Sequence, residues 1–262
     1  MWDFIWKEFF HSRIPRGRVE WNFQVLPPLM FSRCQRLCPP TLAPARGGGR
    51  VAAMKALIFI LATGVVSTLA ADKDFKPLFN GKDLAGWQGM GGPMTNWKVK
   101  DGVLSCTGKT GSHWIATKEE FSDFELRLEY NIPKNGNSGV FIRAPKEGAP
   151  WVAGLEIQVL DDFGPKWNNL KPAQFTGSIY AVQAPSKRVT KKASEWQTLR
   201  VRCEGAQCDV WVNGKQIIKA DLAALAKKAP KVTGLKRATG YIGLQNHSSP
   251  VHYRNIQVKR LK

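Results

Sequence analysis

In GLEIQVLDD, residues 154–162, Leu155, Ile157 and Val159 alternate with Glu156 and Gln158. A period of two is the pattern of a strand with one apolar and one polar face. The polar face here holds a carboxylate and an amide, followed by Asp161 and Asp162 where the strand must end. A carboxylate can take up or release a proton, and a primary amide both donates and accepts hydrogen bonds, as a sugar hydroxyl does. Downstream, GLQNH (243–247) sets Gln245 and His247 two apart, so they share one side of a strand, and an imidazole can act as base, acid or metal ligand. Arg143 ends NSGVFIR (137–143) and could hold an oxyanion, while Tyr180 and Trp151 offer faces for stacking on a sugar ring. Asn137 opens Asn137-Ser138-Gly139, read as a turn into a strand, and is a weaker candidate ligand.

Each candidate has a structural alternative. Glu156 and Arg143 could sit in surface ion pairs, His247 in a plain loop, and Tyr180 and Trp151 in core or rim packing. His113 and His252 are read as structural. The run E-I-Q-V-L-D (156–161) can be compared with E-x-D-x-x-E of the laminarinase-type β-glucanases. A retaining glycosidase needs two carboxyls about 5–5.5 Å apart. Here the middle acid is Gln158 and the last is Asp161, which points to the opposite face by strict alternation unless a bulge intervenes. The spacing resembles that site, but the chemistry is altered.

The elements that must position these side chains are short strands recurring every eight to twelve residues, the rhythm of an all-β sandwich. NWKVK (96–100) and VLSCT (103–107) flank the hairpin pair Asp101-Gly102. WIATK (114–118), FELRLEYNIP (124–133), SGVFIRA (138–144), LEIQVLD (155–161) and GSIYAV (177–182) follow. WQTLRVRCE (196–204), CDVWVN (208–213) and KQIIKA (215–220) continue the series, and GYIGLQNH (240–247) and VHYRNIQVKRL (251–261) close it. Residues 221–228 form the one helical patch, with Asp221 as N-cap. Loops at 144–154 and 162–176 are long for a sandwich, and long loops tend to carry function.

Upstream, Met54 and Lys55 precede a fourteen-residue apolar run, Ala56–Leu69, and small residues at Ala70 and Ala71. That is the layout of a secretory signal peptide, cleaved near Ala70 or Ala71, and the run is too short to span a bilayer comfortably. Residues 1–53 show no helical or strand period and are expected to be translated upstream DNA from a misassigned start. The alternative is a basic extension followed by a membrane anchor. Export leaves 72–262 as a single domain, periplasmic or secreted, with no transmembrane segment remaining.

That domain holds 30 Lys and Arg against 17 Asp and Glu, a net +13. Its basic clusters, KRVTKK (187–192) and KKAPKVTGLKR (227–237), read as solvated loops or as attraction to an anionic polysaccharide or envelope surface. Nucleic acid is not an expected partner for an exported protein. Cys106, Cys203 and Cys208 fit no zinc spacing. Cys203 and Cys208 face each other across a tight hairpin and form either a disulfide or, with Cys106, buried free thiols.

From Phe75 to Leu261 the chain resembles the 3-keto-disaccharide hydrolase domain family. The resemblance is carried by LFNGKDLAGW (78–87), FSDFELRLEY (121–130), NSGVFIR (137–143), GLEIQVLDD (154–162), TGSIYAV (176–182), EWQTLRV (195–201), VWVNGK (210–215) and YIGLQNHSSPVHYRNIQV (241–258), in order. It implies a concanavalin-like jelly roll and, in some members, action on glycosides oxidised at C3. It leaves a divalent metal open and fixes no other cofactor. A C3 ketone acidifies the C2 hydrogen, so a base, an enolate stabiliser and an acid for the leaving oxygen would suffice for β-elimination. Glu156 and His247 are the catalytic candidates, and either could be the base. Arg143, Gln158, Gln245, Asp161, Tyr180, Trp151 and Asn137 are the candidate sugar ligands. The competing reading is a carbohydrate-binding or matrix-interaction module that uses the same groove without turnover.

Overall fold

A computed structural model describes residues 74–262. The leader, its cleavage point and residues 1–53 lie outside the described residues. Thirteen strands are described in chain order. They are β1 (Lys76–Pro77), β2 (Trp87–Met90), β3 (Trp97–Lys100), β4 (Val103–Cys106), β5 (Trp114–Phe121), β6 (Phe124–Asn131) and β7 (Asn137–Ala144). After these come β8 (Leu155–Leu160), β9 (Gln197–Glu204), β10 (Gln207–Val212), β11 (Lys215–Asp221), β12 (Gly240–Gln245) and β13 (Val251–Arg260). Two α-helices, α1 (Pro150–Ala153) and α2 (Leu222–Lys228), complete the regular structure with a few 3-10 turns.

The strands form two antiparallel sheets, the sandwich of a concanavalin-like jelly roll. One has eight strands in the order β11-β10-β9-β6-β13-β4-β3, with β1 also paired to β13. The other has five, β2-β5-β12-β7-β8. Alternation sorts the faces. Leu155, Ile157 and Val159 of β8 join Val140 and Ile142 of β7 in one core with Leu126, Leu128, Leu199 and Val201 of the larger sheet. Each fully buried aliphatic side chain contributes about 1.5–3 kcal/mol against leaving it in water. The two-residue turns work as their sequences require. Asp101 and Gly102 have φ of 51° and 75°, and Asn213 and Gly214 have 49° and 72°. Positive φ at both central positions matches the right-handed twist of the strands they join. Asp221 caps α2, its carboxylate accepting from Ala223 N at 2.9 Å and Ala224 N at 3.1 Å.

One expectation is corrected, and one choice left open by the sequence is decided. Residues 177–182 are not a strand, because Gly177 and Ala181 turn left-handed at φ 80° and 58°. The segment instead makes isolated bridges, Ile179 to Ile157 and to Gln183. Tyr180 N donates to Glu156 O at 2.9 Å and Gln158 N to Ser178 O at 3.1 Å, which covers the outer edge of β8. Second, Cys203 and Cys208 pair in register across the β9–β10 hairpin but remain free thiols. Their Sγ atoms are 3.5 Å apart, against about 2.05 Å in a disulfide.

Candidate active site

Because Ile157 and Val159 face the core, Glu156 and Gln158 must face outward from the five-stranded sheet. In register they lie opposite Phe141 and Gly139 of β7. Gly139 therefore sits within a strand rather than in the expected turn. Its missing side chain has a use: a Cβ built there would stand 2.9 Å from both Cγ and Cδ of Glu156 and closer still to Oε1. The carboxyl occupies the space that a side chain at position 139 would fill. The same device recurs on β12, where a Cβ on Gly243 would meet the Trp114 ring, with Cζ3 at 2.6 Å.

Glu156 is 5% exposed and Gln158 3%. Burial disfavours the charged carboxylate and raises the Glu156 pKa from 4.5 to about 8, opposed by a hydrogen bond from the Gln245 side chain. The Gln158 amide nitrogen faces acceptors, donating to Ser138 O at 2.9 Å and to Glu156 Oε1 at 3.2 Å. The Gln158 amide thus touches the carboxyl, and the Gln245 side chain favours its charged form. The bridge between Ile157 and Ile179, both core residues, turns Ser178 and Tyr180 to the outer face beside Gln158 and Glu156. Two polar atoms here are buried without a hydrogen-bond partner, Gln245 Oε1 and Ser178 Oγ. Buried polar atoms are normally paired, and an orphan is costly, so such atoms mark a place for a ligand or water.

Around the polar centre the same face is apolar. Met90, Trp114, Ala116, Phe141, Ala144 and Tyr241 form a second small cluster, with Trp151 of α1 packed at its side. Trp114 and Phe141 meet edge to face with centroids 5.3 Å apart.

The other predicted residues divide. Glu156, Gln158 and Gln245 come together. Asn137 adjoins them on β7, and its Oδ1 lies 3.4 Å from the Gln158 amide nitrogen in the alternative amide orientation. Tyr180 flanks Glu156, its hydroxyl accepting from Gln174 Nε2 at 3.0 Å. His247 lies two residues past Gln245, on the loop leaving β12, with its side chain exposed. Nearby protein still disfavours the imidazolium, the Lys166 charge adds to that, and its pKa falls below the ordinary value.

Arg143 does not join the site. It has φ of 48° and is 2% exposed. Its guanidinium donates to Ser122 O, Gly205 O, Arg237 O and Asp123 Oδ1 at 2.9–3.2 Å. It ties together loops at one end of the sandwich and has no N–H left for an oxyanion. Asp161 is likewise committed, accepting from Asn135 N at 2.8 Å and Phe163 N at 3.3 Å. It holds the turns beside the strand end and forms no carboxyl pair with Glu156. Among the described residues no three His, Cys, Asp or Glu side chains gather as a metal site would require.

Gly139 and Ser178 were not expected from the sequence. A glycine inside an otherwise apolar strand is a signal of close approach, and that signal was present in NSGVFIR. Ser178 carried none.

This geometry has relatives. The family model for the 3-keto-alpha-glucoside-1,2-lyase-like domain matches residues 74–259. The 3-keto-disaccharide hydrolase of Bacteroides thetaiotaomicron is 27% identical over 238 residues, covering 74% of this chain and 81% of that protein. A crystal structure of a putative glycosyl hydrolase from Parabacteroides distasonis superposes with a TM-score of 0.66 at 27% identity, covering 73% of this chain and 97% of that one. A second from the same organism gives 0.62 at 31% identity, covering 71% and 99%. The chain belongs to the 3-keto-alpha-glucoside-1,2-lyase-like domain family.

Proposed function

We propose that this protein is an exported enzyme that cleaves 3-keto-glycosides, with Glu156 as the base. The observation that carries the reading is the buried Glu156 carboxyl, its pKa raised to about 8, between two amides and beside two unpartnered polar atoms. A base of that strength works near neutral pH, where an ordinary carboxylate is too weak. Glu156 removes the C2 proton, and the C–H electron pair moves to form the C2–C3 double bond of an enolate on the C3 oxygen. The enolate collapses, the C1–O bond breaks, and the aglycone leaves with its electron pair and gains a proton. Water then adds across the new C1–C2 double bond. Ser178 Oγ is the donor available for the C3 oxygen, and Gln245 Oε1 accepts from a sugar hydroxyl. His247, exposed on the loop after β12, is the candidate acid for the leaving oxygen.

The name of the Bacteroides relative supports this substrate class, and the leader-like run 54–71 supports export. The basic clusters at 187–192 and 227–237 suit retention on an anionic polysaccharide or envelope. Orphaned polar atoms beside an aromatic cluster would also serve a binding module without turnover. The test is an assay of 3-keto-glucosides beside their unoxidised parents, using wild type and Glu156→Gln. Turnover confined to the keto sugars and lost in Glu156→Gln supports the enzyme. Binding of either sugar with no turnover supports the module.

A further inference from the structure

The site is held from behind. Pairing of β7 with β12 ends at Val140 and Leu244. The next residues on the two strands are Gly139, on which the Glu156 carboxyl sits, and Gln245, whose side chain holds the Glu156 pKa down. Where the pairing stops, a side chain takes over. The Ser138 hydroxyl, fully buried, lies 2.8 Å from the Gln245 carbonyl oxygen and 2.8 Å from the Tyr253 hydroxyl of β13.

The proton directions in this chain are fixed. The Gln245 carbonyl has no hydrogen, so Ser138 donates to it. Ser138 has only one hydrogen to give, so Tyr253 must donate to Ser138 Oγ. Burial raises the Tyr253 pKa far above the ordinary phenol value, which keeps that hydroxyl protonated. Tyr253 belongs to the eight-stranded sheet, and it is fully buried in the core. A polar chain of this kind, closed at both ends, fixes geometry that apolar packing alone leaves loose.

We propose that Tyr253 is a positioning residue for the Glu156 carboxyl, acting through Ser138 on the strand ends that carry Gly139 and Gln245. This rests on the reading of Glu156 as the base, but the tie itself can be tested without turnover. Tyr253→Phe removes one oxygen from the core and leaves Ser138 free to turn. Gln245 then loses its fixed carbonyl, and its donation to Glu156 weakens. Since that donation opposes the effect of burial, the Glu156 pKa rises further.

The experiment is a 13C NMR titration of the Glu156 carboxyl in wild type, Tyr253→Phe, Gln245→Leu and the double variant. Ser138→Ala serves in place of Tyr253→Phe if that variant fails to fold. The expected result is an upward shift in each single variant and no further shift when Tyr253→Phe is added to Gln245→Leu. On a 3-keto-glucoside, kcat in Tyr253→Phe falls about tenfold while KM stays within about twofold, since a small misplacement acts on the chemical step. A Tyr253→Phe or Ser138→Ala protein with a lowered melting temperature but a wild-type Glu156 titration overturns the proposal and leaves the hydroxyl a core tie only. A shifted titration in a protein that turns over no keto sugar keeps the tie and removes the base assignment instead.

Discussion

The Glu156 carboxyl rests on Gly139: any Cβ at 139 would come within 2.9 Å of Glu156 Cδ. The proposed base and its seat are on neighbouring strands, and the seat works only because it has no side chain. Gly139→Ala must push the carboxyl off the β7 backbone or bend the strand. The expected result is a loss of turnover of about 10²-fold or more from misplacement. The stability cost is about 1–3 kcal/mol of overpacking. Kinetics together with thermal melting separate the two. Full activity in Gly139→Ala would mean that the carboxyl does not need this position.

The pH dependence follows from the direction of the Glu156 shift. A base with a pKa near 8 is ionised only as pH rises through that value, so kcat/KM should climb between pH 6 and about 8 and then level. If Glu156 were instead the acid for the leaving group, the rate would fall across the same window. Stability runs the other way. The folded pKa lies above the ordinary 4.5, so the folded state binds the proton more tightly. That contribution is complete below pH 4.5 and is lost as pH rises toward about 8. Glu156→Gln, neutral at every pH, should therefore raise the melting temperature more at pH 9 than at pH 5.

Arg143 gives the opposite kind of prediction. Its guanidinium holds four groups on three loops, and Arg143→Met leaves the Ser122, Gly205 and Arg237 carbonyls short of a donor. The cost is about 2–4 kcal/mol of stability. At temperatures where the variant stays folded, KM for the sugar should be that of wild type. A raised KM with unchanged stability would return Arg143 to the sugar site.

Much of this architecture could be read from the chain because sheet periodicity is local. Leu155, Ile157 and Val159 announced the face of β8, and Asp101-Gly102 and Asn213-Gly214 announced their turns. Glu156 and Gln158 followed by parity alone. Arg143 and Asp161 were misjudged for one reason: residue type says that a group can bind an anion or a sugar, but not which partners reach it first. Ser122, Gly205 and Arg237 lie 21 to 94 residues from Arg143, and only the closed fold brings their carbonyls to it. Segment 177–182 alternated well enough to look like a strand, yet its left-handed turns at Gly177 and Ala181 left it a bridge. The Tyr253–Ser138 pair spans 115 residues and both sheets, and no spacing in the sequence foretells it.

The most direct test of the central claim is the fate of the C2 hydrogen. A 3-keto-glucoside is turned over in D₂O, and the released sugar is examined by NMR at early times, before exchange without enzyme. Elimination followed by hydration predicts one deuterium at C2, formed at the rate of aglycone release. Glu156→Gln should then lower both rates together by about 10²–10⁴-fold, the usual worth of a general base. A product that keeps its C2 hydrogen would mean direct displacement at C1 and would contradict the account, as would a Glu156→Gln enzyme that exchanges and cleaves at the wild-type rate.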